Sequence, residues 1–314
     1  MMKAVMYHYV RHKDKNFPHL FRLDFDLFKK QLDYFDKKYG FVSKESFINS
    51  IRNKELKEEE KEGVILTFDD GLICHYKNVF PELKKRGLWG IFYIPTFPFK
   101  ENQILDVHRI HILISNCDPK DLYTYLQKKQ IQKLFDMNKI DEFKRLTYLN
   151  QDNDQYSLII KRILNYFIKY DKRKLVIDEL FDKFIKENFN VADFYLSVNN
   201  LKEMNTAGMI IGSHTENHLV MSKLSNELQK YEIENSFNFL ESKVGNLGVK
   251  SFCYPYGGFH TFNDKTLEIL SSNNCEFSFN VEQRDISLDD LRYKVHQLPR
   301  FDCNQFKYGH ASNT

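Results

Sequence analysis

The sequence predicts an α/β fold, a seven-stranded β/α barrel with parallel strands and one helical insertion. Short apolar runs rich in aromatic and β-branched residues alternate with segments of helical periodicity along most of the chain. Such alternation is typical of parallel sheets, because parallel neighbours need a crossover between them. Polar motifs follow several of these runs, as they do at the carboxyl ends of barrel strands. This placement favours a closed or nearly closed barrel.

The individual elements follow from the apolar pattern. The predicted strands are 3–10, 64–68, 90–95, 209–213, 251–254, 277–281 and 295–298. The predicted helices are 26–37, 77–86, 223–243 and 263–272. In the first of these helices, Leu27, Phe28, Leu32 and Phe35 share one side, which is the pattern of a helix that packs against a sheet.

One region, 97–195, interrupts the alternation. It has little strand signal, and Ile160, Ile163, Leu164, Phe167 and Ile168 form an apolar stripe at helical spacing. We interpret the stripe as packing and the region as a helical insertion between the third and fourth strands of a single catalytic domain, 1–314. An insertion of this length is expected to be a cap or a lateral subdomain.

Charge and cysteine content exclude several classes of function. The net charge is +3, from 46 basic and 43 acidic residues that are well mixed, so no nucleic-acid-binding face is expected. The run KEEEKE at 57–62 is interpreted as a solvated loop or helix end. Five scattered cysteines without a CxxC pair predict neither a disulfide framework nor a thiolate zinc site. No pattern indicates an oligomeric state.

The chain is expected to be cytoplasmic. Its N-terminal segment lacks the charged-then-apolar layout of a signal peptide and continues into a predicted strand. No apolar run approaches the eighteen or so residues that span a membrane, so no transmembrane segment is predicted.

The stretch GVILTFDDG contains the first chemical signal. Asp69 and Asp70 follow a predicted buried strand, where adjacent carboxylates repel each other and resist desolvation. His214 and His218 are four residues apart and would lie on one side if a helical turn began there. Two neutral imidazoles and one carboxylate bind a divalent metal such as zinc, with a position left for water. One aspartate would then be a ligand, and the other would stay ionised beside the metal as a base.

Three segments together resemble the polysaccharide deacetylases, carbohydrate esterase family four. They are TFDDG at 67–71, HTENH at 214–218 and YPYGG at 254–258. The matching positions run from His8 to Arg300, most of the chain apart from the insertion. The resemblance implies a distorted seven-stranded β/α barrel that hydrolyses an N-acyl group, usually N-acetyl, on an amino sugar.

The resemblance also implies residue roles. Asp69 would be the general base, and a metal-bound water would be the nucleophile. The implied metal ligands are Asp70, His214 and His218, with zinc expected and cobalt, nickel, manganese or iron as alternatives. Pro255 and Tyr256 would line the sugar site, with the Tyr256 N–H holding the oxyanion.

Two departures from the family pattern need substitutes. Many members take their general acid from a C-terminal Leu-x-x-His-like motif, but here the histidine of HQLPRFD precedes the predicted strand. The segment MYHYV resembles a subset that uses the first strand, so His8 is the candidate acid; the alternative is a buried histidine bonded to a backbone carbonyl. Cys253 occupies the position of an arginine that orients the base. Arg300, braced by Asp302, is predicted to replace it; the alternative is a surface ion pair.

Other readings remain open. The substrate is expected to be an intracellular nucleotide-linked or lipid-linked precursor of surface polysaccharide, or a small glycoside, covered by the insertion. A non-haem iron oxygenase would also use two histidines and a carboxylate, but it gives Asp69 no role. The third reading is a non-catalytic sugar-binding protein. His12 and His19 are interpreted as lying at the pocket rim. His108 and His111 are interpreted as packing or solvated, with a second site or contact with substrate as the alternative, and His310 has no predicted partner.

Overall fold

A computed structural model describes residues 2–13, 20–56, 62–149, 151 and 153–312. Its seven strands form one parallel sheet in the order β6-β5-β4-β3-β2-β1-β7. The strands are β1 Met2–Tyr7, β2 Gly63–Phe68, β3 Ile91–Ile94, β4 Ile210–Ser213, β5 Ser251–Cys253, β6 Phe277–Phe279 and β7 Phe301–Asp302. The predicted fold class, a seven-stranded β/α barrel, is confirmed.

The last predicted strand is wrong. Residues Val295–Gln297 form a 3₁₀ turn, and β7 lies further along the chain. Pro299 lies between the two, and a proline cannot donate to a sheet ladder. Leu298 pairs with Phe279 of β6, whereas Phe301 pairs with Val5 of β1. The segment 298–302, which we call the closing segment, therefore connects the two ends of the sheet.

Fourteen α-helices occur among the described residues. They are α1 Phe25–Lys38, α2 Lys44–Asn53, α3 Phe80–Arg86, α4 Phe97–Glu101, α5 Asp106–Asn116, α6 Pro119–Lys128, α7 Ile140–Leu146, α8 Gln155–Arg162, α9 Tyr170–Phe184, α10 Val191–Phe194, α11 Val198–Thr206, α12 Asn226–Val244, α13 Asp264–Ser272 and α14 Leu288–Tyr293. A π-helical turn, His75–Val79, leads into α3. The sequence prediction missed α2, which Ser43 caps by accepting from the amide of Ser46.

The chain divides into two compact units. The first comprises Met1–Asp14, Phe21–Gln103 and Asn190–Thr314 and contains the whole sheet. The second comprises Lys15–Leu20 and Ile104–Phe189 and has its own buried core, in which Ile160 and Leu164 are almost fully buried. The region 97–195 is helical, but its role as an insertion with a function of its own stays a prediction.

The sheet interior is aromatic where the first three strands lie side by side. Tyr7 stacks on Phe68 at a ring distance of 5.2 Å, and Phe68 stacks on Phe92 at 4.7 Å. These residues are register partners in neighbouring strands, so the stack stabilises the register of the three strands. Within the described part of the chain, no helix has the length and apolar character needed to cross a bilayer.

Candidate active site

The candidate site lies where the strands end. Because Tyr7 and Phe68 are register partners, the residues that follow them, His8 and Asp69, leave the sheet side by side. The Asp69 amide donates to the Tyr7 carbonyl at 2.9 Å, which continues the pairing past the strand ends. His214 follows β4 in the same way. Polar residues from separate parts of the chain thus meet at the carboxyl edge of the sheet, the edge that barrel enzymes use.

Asp70, His214 and His218 come together as the sequence predicts. The Asp70 Oδ1 atom lies 3.6 Å from His214 Nε2 and 3.3 Å from His218 Nε2, and all three side chains are buried. Asp70 reaches this position from a left-handed backbone conformation, with φ of 78°, followed by Gly71 with φ of 60°. The turn directs the carboxylate away from the strand toward the two imidazoles.

This donor set fits a divalent cation. His214 Nδ1 lies 2.8 Å from the Cys253 carbonyl oxygen, a contact that requires the proton on Nδ1 and leaves the Nε2 lone pair facing Asp70. Burial, together with the nearby His218, lowers the pKa of His214 to about 4. The imidazole is therefore neutral at physiological pH, as a metal ligand must be. Two neutral imidazoles and one carboxylate match a zinc site with an open position.

The loop between the two histidines is not the helical turn that the sequence prediction considered. Thr215 and His218 have φ of 66° and 55°, which belong to the left-handed region. The loop is held by neighbours instead: the amides of Thr96 and Phe97 donate to the carbonyls of Thr215 and Glu216 at 3.2 and 2.9 Å. Tertiary hydrogen bonds of this kind leave no periodic signal in a sequence.

Asp69 is paired with Arg300. The two guanidinium nitrogens Nη1 and Nη2 donate to Asp69 Oδ1 and Oδ2, both at 2.8 Å, and Arg300 is only 1% exposed. Burial by itself would raise the pKa of Asp69, but Arg300 outweighs it and lowers that pKa to about 2. Asp69 is therefore an ionised carboxylate at neutral pH. Arg300 is neither exposed nor part of a surface ion pair.

The closing segment explains how Arg300 reaches Asp69. Arg300 lies in this segment between Leu298, which pairs with β6, and Phe301, which pairs with β1. The Arg300 guanidinium also donates to Thr67 Oγ1 at 3.0 Å. The Cys253 sulfur lies 2.9 Å from Arg300 Nη2 and 3.6 Å from Asp69 Oδ2, so the small thiol leaves room for the arginine. Asp302, expected to brace Arg300, accepts instead from the amide of Asn304 at 3.0 Å.

His8 is half-buried, and its backbone is held by a histidine that the sequence prediction missed. His75 Nε2 lies 2.7 Å from the His8 carbonyl oxygen, and its ring packs against Phe68 and Phe92. Burial lowers the pKa of His75 to about 4, so its ring is neutral and Nε2–H can donate. The only sequence signal for His75 was its position five residues after Asp70, which no motif marks.

Tyr256 lies beside one of the metal-ligand candidates, His218, and Pro255 precedes it in the chain. The Tyr256 ring is 4.9 Å from the His218 ring, and Tyr256 has φ of 65°. Asn280 stabilises the YPYGG turn, because its Oδ1 accepts from the amides of Gly258 and Val281, both at 2.8 Å. The role of the Tyr256 amide at an oxyanion stays a prediction.

Four of the five further histidines named in the sequence analysis lie within the described residues. His108 and His111 belong to α5 in the second unit, with ring centroids 5.9 Å apart. His12 is exposed and lies 3.4 Å from Asp24, and His310 is exposed near the end of the described residues. His19 lies outside the described residues, as does most of the KEEEKE run.

One protein family matches part of the chain. The family described as Polysaccharide deacetylase matches residues 153–278, which include HTENH and YPYGG but not TFDDG. No protein with a curated description matches the chain.

Three solved structures resemble it. The Streptococcus pyogenes deacetylase PplD, in complex with acetate, is 19% identical, with a TM-score of 0.58 over 96% of this chain and 91% of that chain. IcaB from Ammonifex degensii is 16% identical, with a TM-score of 0.51 over 89% and 83%. The deacetylase domain of BpsB from Bordetella bronchiseptica is 14% identical, with a TM-score of 0.51 over 96% and 95%. At these identities the likeness is one of fold.

Proposed function

We propose that this chain, a relative of the polysaccharide deacetylases by its motifs, family match and fold, is a metal-dependent hydrolase that removes an N-acyl group, N-acetyl in the simplest case, from an amino sugar. One observation carries the proposal. A compact carboxylate–imidazole triad lies next to a second, ionised carboxylate that is held by a buried arginine. A binding protein would need neither the second carboxylate nor its partner.

Asp70, His214 and His218 would hold the cation. When bound, a divalent ion supplies Lewis acidity that polarises a carbonyl oxygen and makes water more acidic. With one carboxylate and two neutral imidazoles as ligands the formal charge would be +1, and the neutral Asp69–Arg300 pair beside it leaves that sum unchanged. All five side chains are buried, so little solvent screens these charges.

Asp69 would accept the proton of the attacking water. Each of its oxygens already accepts one hydrogen bond from Arg300, and Oδ2 also accepts from the Cys253 thiol at 3.6 Å, so Oδ1 is the oxygen better able to take a proton. Arg300 thus fixes the plane of the carboxylate and keeps it ionised. Proton transfer to a positioned base contributes typically about 10²–10⁴-fold to such reactions.

His8 would give a proton to the leaving amine nitrogen. An amine leaves poorly without one, and histidine is the usual carrier near neutral pH. His8 is half-buried, so its ring remains accessible to substrate at the carboxyl edge of the sheet. His75 would act only on its position, through the His8 backbone.

The test begins with zinc-loaded protein and an acetate-release assay. Substrates are N-acetylglucosamine oligomers, nucleotide-linked N-acetyl sugars and lipid-linked N-acetyl sugars, which also tests the predicted precursor substrate. We expect D69N to keep its zinc and to lose about 10²–10⁴-fold in turnover. D182N, at an exposed position of α9, is the matched control and should retain full activity.

Two results would overturn the proposal. One is undiminished turnover by D69N, and the other is wild-type protein that binds no divalent ion. Acetate release under anaerobic conditions separates hydrolysis from the oxygenase reading, which requires O₂ as co-substrate.

A further inference from the structure

The loop that carries the two histidines adopts an unfavourable backbone conformation. Thr215 and His218 are not glycines, yet both have left-handed φ angles. Each such residue lowers stability by roughly 1–3 kcal/mol, and the conformation persists only where the surrounding structure enforces it. Without an external restraint, the loop would relax and the two imidazoles would separate. The source of that restraint is therefore part of how the site is built.

One buried carboxylate on α12 makes three hydrogen bonds to this loop. Glu232 Oε2 accepts from the backbone amides of Glu216 and Asn217 at 3.0 and 2.8 Å. Its other oxygen, Oε1, accepts from the Asn217 side-chain amide at 2.6 Å. Glu232 is only 3% exposed, and its partners are two of the three residues between His214 and His218. Both carboxylate oxygens are thus engaged by the loop.

The neighbouring positions on α12 support this arrangement. Gln229, Glu232 and Ser236 recur at helical spacing and are all buried, so the buried face of the helix has a polar stripe. Ser236 Oγ lies 2.5 Å from Ser213 Oγ at the end of β4, and Ser213 Oγ accepts from the Thr215 amide at 3.3 Å. The helix therefore makes hydrogen bonds both to the end of β4 and to the loop that follows it.

We propose that Glu232 is a positioning residue for the metal site, which holds His214 and His218 at ligating distance by fixing the backbone between them. This inference rests on the proposed function for the identity of the ligands. A carboxylate suits the task because it offers only acceptors to three donors. A glutamine could still accept from both backbone amides with its one oxygen and would lose only the bond to the Asn217 side chain, so the test removes the whole carboxylate with alanine.

The experiment compares E232A with E234A. Glu234 lies two residues along the same helix at a more exposed position, 3.8 Å from Lys230, so its loss should have little effect. Zinc affinity is measured by competition with a chromophoric chelator. We expect E232A to bind zinc about 10–100-fold more weakly, as loss of a residue that orients metal ligands typically does, and E234A to match the wild type. N217A, which removes only the side-chain bond to Oε1, should lie between them.

A second readout does not require metal. In metal-free protein, the amides of Glu216 and Asn217 should be protected from hydrogen exchange, and E232A should remove that protection while E234A keeps it. If E232A unfolds, N217A and E232D supply the comparison. Folded E232A with wild-type zinc affinity and wild-type protection would overturn the inference. Failure of the wild type to bind zinc would count against the proposed function instead, because the exchange measurement would still decide the role of Glu232.

Discussion

At the scale of single residues, the charge of Asp69 depends on one guanidinium. Arg300 binds both carboxylate oxygens, and both side chains are almost completely buried. Removing one member of a buried ion pair leaves the other charge uncompensated, whereas replacing both members can be nearly neutral. This asymmetry allows the pair to be tested separately from catalysis.

We expect R300M to lower the free energy of unfolding by about 3–5 kcal/mol, because the Asp69 charge would remain buried without its partner. The double variant D69N/R300M should recover most of that loss. Urea unfolding of metal-free protein measures both values. Strict additivity of the two single changes would contradict the pairing.

His75 gives a second residue-scale prediction, on pH dependence. Its pKa is lowered by burial from 6.5 to about 4, so the unfolded chain takes up a proton at higher pH than the folded one. Its contribution to stability is therefore complete above pH 6.5 and is lost as the pH falls toward 4. Between pH 7.5 and pH 5 we expect a loss of about 2 kcal/mol from this residue.

The variant H75F should lack that part of the pH dependence. His214 and His296, whose pKa values burial also lowers to about 4, remain in both proteins and cancel in the comparison. Urea unfolding at the two pH values gives the difference. An equal pH dependence in H75F and wild type would show that His75 does not stay neutral.

At the scale of elements, the YPYGG turn depends on close approach to the residues after β6. A Cβ added at Gly257, where φ is 63°, would lie 2.2 Å from Val281 Cγ2. Gly248 is a matched control, since its φ is 69° and an added Cβ would meet no atom within 4 Å. G248A therefore carries only the backbone strain, whereas G257A adds the clash.

We expect G248A to cost about 1 kcal/mol in unfolding free energy, and G257A to cost about 1–3 kcal/mol more. Urea unfolding measures both, and G257A should also lose activity because Tyr256 would move. Equal stability of the two variants would mean that the turn is free to shift away from Val281.

The elements that the sequence predicted and those that it missed differ in where their signal lies. The first six strands are marked by their own apolar runs, and α1 by its apolar side, so local pattern was enough. Residues 295–298 contain only two apolar residues, Val295 and Leu298, and Pro299 and the pairing with β1 decide where β7 forms. The 214–218 loop is fixed by Glu232 and by the segment at Thr96, which are distant in sequence. Long-range bonds of this kind cannot be read from periodicity.

The candidate site divides in the same way. Asp69, Asp70, His214 and His218 stand in recognisable motifs, so their proximity could be predicted. Arg300 could be proposed as a substitute for the arginine that the family pattern places at position 253. Its two hydrogen bonds to Asp69 could not be predicted, because they depend on where the closing segment lies. His75 and Glu232 were missed because each acts on a backbone carbonyl or amide, and such contacts impose no motif.

At the scale of the whole molecule, a bound cation would join parts of the chain far apart in sequence. Asp70 follows β2 and the two histidines follow β4, so binding should favour the folded state over the unfolded one. At zinc concentrations 100 times the dissociation constant, the gain is about 2.7 kcal/mol. Thermal unfolding with zinc and with excess chelator measures this gain.

We expect zinc to raise the melting temperature of the wild type, and chelation to abolish acetate release. The variant H218N should show neither the shift nor the activity. A folded, chelated wild-type protein that keeps its full turnover would contradict metal dependence.

The closing segment has a consequence for biosynthesis. Asp69 and Arg300 are separated by 231 positions in the sequence. The closing segment, which contains Arg300, also pairs with β6 at Leu298 and with β1 at Phe301. While the chain emerges from the ribosome, Asp69 remains without its counter-ion until a further 231 residues have been added. Nascent chains that stop short of this point should hold an unneutralised acid against an unclosed sheet edge, and they should be targets for chaperones and proteases.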